Sequence, residues 1–127
     1  MNTTENQPTG ADLIAAERQR QIEAEGYTPE HDDEHDDEHG WQTLWAAGAT
    51  YAEIGHVSWP WRVEEFKPTN VVRDLIKAGA LAQAAMEVAE RASIESVYCY
   101  PAKNLRKYCA NQLDSILDGV RDLGLIR

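Results

Sequence analysis

The densest chemistry in this chain lies in residues 30–39, EHDDEHDDEH. His31, His35 and His39 recur every four residues, so a helix would carry all three on one face. Two imidazoles at that spacing, joined by a carboxylate, can bind zinc or nickel. The carboxylate oxygens alone suit magnesium. The stretch is also readable as a solvated acidic run that repels itself. It contains Glu-His-Asp-Asp twice in tandem, so either His31/His35 or His35/His39 can be the working pair, with Asp32 between the first two. The zinc-protease pattern H-E-x-x-H is absent, and so is any paired-cysteine motif.

A second group is aromatic. Trp59-Pro60-Trp61 and Phe66 stand among Arg62 and Lys67. Indoles beside cations can sandwich a base or a sugar while the cations meet phosphate. The same tryptophans can instead plug the open end of a helical core or anchor a protein partner. Arg73 and Lys77 follow, four residues apart, with Asp74 one step round. Two cations near a helix N-terminus oppose the helix dipole. A bound anion would relieve that, because the free amides and both cations would point at it. Local pairing of Asp74 with Arg73 or Lys77 is the simpler structural account. Glu87-x-x-Glu90, with Glu17 and Glu23 elsewhere, is one Glu-x-x-Glu pair of the kind that all-helical nucleotide pyrophosphohydrolases use to hold magnesium. No convincing second pair lies on another helix. No glycine-rich phosphate loop or serine-nucleophile elbow occurs. Lys103, Arg106 and Lys107 lie near Cys109 without making a case for a reactive thiol.

These groups need elements to position them. Residues 1–10 read as a polar, disordered leader ended by Pro8 and Gly10. A first helix is expected over about 12–25, capped by Thr9 or Asp12 and stopped by Gly26. Leu13, Ile14, Ala16 and Ile22 give it one narrow apolar stripe. A second helix is expected over 41–54, with Trp41, Leu44, Trp45, Gly48 and Tyr51 on one face and Gly55 at its end. A loop over 55–69 carries the tryptophans, and loops of this length usually have a job. A third helix, capped by Thr69 or Asn70, runs to about Arg91. Its small residues Ala78, Gly79, Ala82 and Ala85 invite a neighbouring helix close. Residues 93–102 read as a connector or a short strand-like stretch closed by Pro101, and a last helix spans about 103–123 and stops at Gly124. The fold class that follows is all-α, a bundle of about four helices with a long aromatic loop. It is read as one helical domain over 11–127, with the motifs in 11–92 and a C-terminal helical addition in 93–127.

Composition narrows the function. The chain holds 22 acids against 12 bases, net −10, and seven of the acids fall in residues 30–39. Without that stretch the count is 15 against 12, close to balance. A general nucleic-acid binder needs a basic face and is not expected. A small anionic ligand held by a few cations remains open. With 43% hydrophobic residues there is enough for a core. No run of 18 apolar residues exists, so no membrane span is expected. The N-terminal residues lack the pattern of a signal peptide. Two cysteines fit a reducing, cytoplasmic setting.

The stretch Glu17-Arg18-Gln19-Arg20-Gln21-Ile22, then Glu25-Gly26-Tyr27-Thr28 and Glu30-His31-Asp32-Asp33-Glu34-His35, opens a longer pattern. It continues through Tyr51-Ala52, Trp59-Pro60-Trp61, Lys67-Pro68 and the helix from Arg73 to Leu81. In this order the motifs resemble those of a family of small bacteriophage and prophage helical proteins, over about residues 13–90. The family pattern carries one His-Asp-Asp-x-His unit where this chain carries two overlapping copies. The resemblance implies a phage or prophage origin. Small phage accessory proteins often counter host defence, some by sequestering nucleotide signals, or adjust nucleotide pools.

The leading expectation is a non-catalytic protein that binds and sequesters a nucleotide-like anion, with no cofactor. Tyr51, Trp59 and Trp61 would stack on it, and Arg73 and Lys77 would hold phosphate. Glu17 and the segment with His31, Asp32 and His35 would hydrogen-bond sugar or base, or order the loop. Arg18, Gln21, Lys67 and Asp74 complete the candidate ligand-binding set. The alternative is a magnesium-dependent helical nucleotide pyrophosphohydrolase, with Glu17, residues 30–38 and Glu87/Glu90 holding a metal that polarises phosphoryl and activates water. A third reading is an acidic interaction module that inhibits a host protein by imitating nucleic acid, with salt-sensitive binding. The small-residue seam and the tryptophans would also suit a homodimer. The host cytoplasm is the expected location.

Overall fold

A computed structural model of the chain describes residues 7–25, 40–54, 58–94 and 99–124. Among these residues are four α-helices and no strand: α1 (Gly10–Glu25), α2 (Trp41–Tyr51), α3 (Val71–Arg91) and α4 (Tyr100–Asp122). A 3-10 turn, Val63–Glu65, interrupts the aromatic loop. The all-helical bundle expected from apolar spacing is the observed architecture. Central to it is α3, which packs most broadly on α2 and α4 and also carries α1. None of the described helices is long and apolar enough to cross a membrane.

The small-residue seam of α3 explains that central place. Ala78, Ala82 and Ala85 are fully buried. A Cβ on Gly79 would collide with the Ile14 side chain of α1, so glycine lets α1 lie directly on α3. On another side, a Cβ on Gly48 of α2 would sit 2.9 Å from the Ala78 carbonyl oxygen and 3.0 Å from Leu105. Three helices therefore meet where their side chains are smallest, and close contact maximises dispersion there. Leu44, Leu113 and Cys109 are the largest side chains fully enclosed in this core. The C-terminal helix contributes Ala102, Leu105, Cys109 and Leu113 to the same core as the motif-bearing helices.

Helix ends follow local chemistry, and in three places they correct the sequence reading. Thr9 and Asp12 both cap α1, reciprocally: the Asp12 amide donates to Thr9 Oγ1 at 3.1 Å and the Thr9 amide to Asp12 Oδ2 at 2.9 Å. This capping box moves the start to Gly10. Gly10 also donates its N–H to Asp114 Oδ1 at 2.7 Å, fastening α1 to α4. The second helix stops at Tyr51 and not at 54. Glu53 takes a left-handed conformation, φ 57°, and the amides of Glu53 and Ile54 reach back to Thr50 and Ala49 at 3.1 and 3.0 Å. The pattern is a Schellman stop. Ser93 closes α3 in the same way, φ 58°. Pro101, expected to close a connector, instead lies in the first turn of α4. Its fixed φ suits that turn and its missing N–H costs nothing there. Gly124 ends α4 with φ 74° as expected. Gly26 and Gly55, the other expected stops, lie outside the described residues.

The left-handed Glu53 carries a steric cost of roughly 1 kcal/mol that glycine would not. Glu53→Gly is therefore expected to raise stability by about 0.5–1 kcal/mol. Urea unfolding of the two proteins checks this, and an unchanged or lower midpoint would count against a strained stop at this position.

Candidate functional site

The site residues are organised by the way α1 crosses α3. Glu17 and Arg18 are neighbours on α1, yet Glu17 pairs with Arg73 and Arg18 with Glu87. Those partners stand roughly 21 Å apart along α3, at 1.5 Å rise per residue. The Ile14–Gly79 contact falls between them, so α1 lies across α3 and sends one side chain each way.

On one side, Glu17 is only 3% exposed. Arg20 grips both its oxygens, Nε to Oε1 at 2.9 Å and Nη2 to Oε2 at 2.7 Å. Arg73 Nη2 donates to Oε1 at 2.8 Å. Burial pushes the Glu17 carboxyl up, but the hydrogen bonds and charges of Arg20 and Arg73 outweigh it and hold the group below its ordinary value. Glu17 is thus an ionised strut between α1 and α3. Gln21, one turn further on, is also buried, and its Oε1 is a buried acceptor with no hydrogen-bond partner among the described residues. Such an orphan costs about 1–3 kcal/mol.

The aromatic loop forms a tight cluster. Tyr51 meets Trp59 edge-on at 5.3 Å between ring centroids and Phe66 at 5.0 Å. Trp59 meets Trp61 edge-on at 5.2 Å and Phe66 at 4.9 Å. Trp59 Nε1 donates to the Arg62 carbonyl at 2.9 Å. Lys77 Nζ lies 5.3 Å from the centre of the Tyr51 ring and donates to the Lys67 carbonyl at 2.7 Å and to Thr69 Oγ1 at 3.2 Å. The Lys67 amide donates to the Tyr51 hydroxyl at 3.0 Å. Lys67 thus enters through its backbone. Asp74 accepts from the Thr69 amide at 2.8 Å, and Asn70 Oδ1 caps α3 by accepting from the Arg73 amide at 2.8 Å. Asp74 therefore anchors the loop's last residues. The structure brings Tyr51, Trp59, Trp61, Lys67 and Lys77 together, and separately joins Glu17 to Arg73. The rings pack edge-on and tilted against one another and against the core, an arrangement that locks the loop against α2 and α3. His31, Asp32 and His35 lie outside the described residues, as does the rest of residues 26–39. Among the described residues no three of His, Cys, Asp and Glu gather as a metal site.

On the other side of the crossing, Arg18 faces a cleft of about 590 Å³ between α1, α3 and α4. Its apolar wall includes Ile14, Ala15 and Ile22 of α1 and Ala110 of α4. Among the described residues its charged lining is Arg18, Lys103, Arg106 and Lys107 with the carboxylate of Glu87. The amides of Gln19 and Gln83 complete the polar lining. Among the described residues neither Lys103 nor Lys107 makes an ion pair. The described lining thus sets four cations against one carboxylate in a chain of net charge −10. Cations beside an apolar wall, in a volume typical of small-molecule sites, can take an anion that carries an apolar body.

Sequence reasoning includes Arg18 in the candidate set but misses Lys103, Arg106 and Lys107 as ligand groups. A signal was present, since the three cations recur at i, i+3 and i+4 on one helix face. Cys109, which drew attention to them, faces the core instead. It is fully buried, and burial pushes its thiol up to about 12.

The fold and the site together define an all-helical bundle, four helices among the described residues, with a cationic cleft beside its crossing helix. In comparisons with known proteins, no family model, no curated protein and no solved structure matches the chain.

Proposed function

We propose that this chain is a phage-type accessory protein that captures a nucleotide-like anion without converting it, and counters host defence by withholding such a signal. The observation that carries the binding part is the cleft, where among the described residues four cations and two amides face one carboxylate beside an apolar wall. On this reading Lys103, Arg106 and Lys107 hold phosphate through charge-assisted hydrogen bonds. The nucleoside lies along Ile14 and Ile22, and Gln19 and Gln83 bond its polar edges. The aromatic cluster and the Glu17–Arg73 pair act as the frame that keeps α1 in place. The phage attribution rests on the motif order from Glu17 to Leu81, and the host cytoplasm is the location that goes with it.

The test mixes the protein with a panel of nucleotides and cyclic nucleotide signals, with magnesium and manganese present. Chromatography follows, before and after heat denaturation. A nucleotide that disappears from solution and returns intact on heating supports capture. One that returns as products supports the magnesium-dependent pyrophosphohydrolase. A panel left untouched removes both small-molecule readings and leaves the acidic interaction module.

A further inference from the structure

The polar side chains of the cleft form a chain of contacts across it. Arg18 directs Nε and Nη2 at the same oxygen of Glu87, at 3.1 and 2.8 Å. Gln83 Nε2 donates to the other Glu87 oxygen at 2.9 Å. Arg106 Nη1 in turn donates to Gln83 Oε1 at 2.5 Å. The guanidinium edge that Arg18 turns to Glu87 is the edge that phosphate oxygens accept from.

The two members of the ion pair differ in freedom. The Arg18 side chain is 5% exposed and the Glu87 side chain 25% exposed. Glu87 is the more exposed member and the one that can turn to water, whereas the buried Arg18 guanidinium stays in the cleft wall. We infer that Glu87 is a built-in competitor for the cleft: in the empty protein its carboxylate occupies the Arg18 guanidinium edge that a phosphate of the bound anion takes. This rests on the capture reading and adds a rule to it. The ligand must out-compete a tethered carboxylate, so anions with several charges are favoured over monoanions. Glu87 swings aside as the ligand enters, Gln83 loses its acceptor and becomes a donor to the ligand, and Arg106 follows.

The experiment measures the affinity of the full chain for inorganic pyrophosphate by calorimetry at low salt. The wild type, Glu87→Gln, Glu87→Asp and Lys107→Gln are compared. Glutamine keeps an oxygen for Arg18 but removes the competing charge, and its affinity is expected to rise about tenfold. Aspartate keeps the charge but falls short of Arg18, and a gain of about threefold is expected. It carries the test should Glu87→Gln not fold. Lys107→Gln is expected to weaken binding. If both Glu87 variants bind no tighter than wild type while Lys107→Gln binds more weakly, the cleft stands and the competitor role is overturned. If the wild type binds no pyrophosphate, or Lys107→Gln leaves binding unmoved, the cleft reading itself falls and takes this inference with it.

Discussion

Glu17→Ala is expected to lower the unfolding free energy by about 2–3 kcal/mol. Breaking a fully buried ion pair costs about 3–5 kcal/mol. Here the arginine partners can partly rehydrate, since their side chains are 44% and 36% exposed for Arg20 and Arg73. That places the expected loss at or just below the bottom of that range. The loss also has a pH signature. The Glu17 carboxyl is held below its ordinary value in the folded protein. Its contribution is therefore fully present above the unfolded carboxyl value, about 4.3, and disappears as pH falls through the lower folded value. Glu17→Gln keeps the shape and removes the charge. The stability gap between wild type and Glu17→Gln should be wide at neutral pH and narrow steadily below about pH 4. A gap that does not change with pH would mean that the two arginines are not holding an ionised strut.

The second large effect belongs to the cleft. Reversing both exposed lysines, Lys103→Glu with Lys107→Glu, should weaken nucleotide binding by about 30-fold or more at low salt. The figure takes about 1 kcal/mol for each exposed charge reversed. Lys103→Gln with Lys107→Gln should cost about half as much on a logarithmic scale. Both losses should shrink as salt rises, because the field is screened over about 10 Å at 0.1 M. Neither lysine reaches the core, so the melting temperature should hardly move in the ligand-free protein. Binding that persists in the doubly reversed protein would place the ligand elsewhere.

The fold was legible because its signals are local. The seam of Ala78, Gly79, Ala82 and Ala85 announces close helix contact from spacing alone, and Gly79 and Ala78 meet α1 and α2 there. Asn70 and the Thr9/Asp12 box are caps that three or four residues suffice to specify. The stop at Glu53 was not legible, because a left-handed glutamate has no sequence mark and Gly55 offered a plausible end nearby.

The site was legible only in part because its pairings are tertiary. Arg73 and Lys77 were visible as two cations at a helix start. Their partners were not: Glu17 lies 56 residues from Arg73, and Lys77 reaches a backbone carbonyl whose position only the folded loop fixes. The tryptophans are visible as aromatic groups fit for stacking, but in the structure Trp59 packs edge-on against Tyr51 and Trp61 and tilted against Phe66. The cleft depends on where α4 passes α1, with Gly10 set against Ala110 and Leu113. Periodicity gives the faces of α1 and α4 but not the gap left between them.

The most direct test of the central claim is a map of backbone amide shifts in the isotope-labelled protein as ADP is added. The account predicts that perturbations concentrate on the cleft-lining residues of α1 around Ile14 to Ile22, on Gln83 and Glu87, and on Lys103 to Ala110. Perturbations centred on Tyr51, Trp59 and Trp61 and absent from α4 would contradict it, and would return the ligand to the aromatic loop.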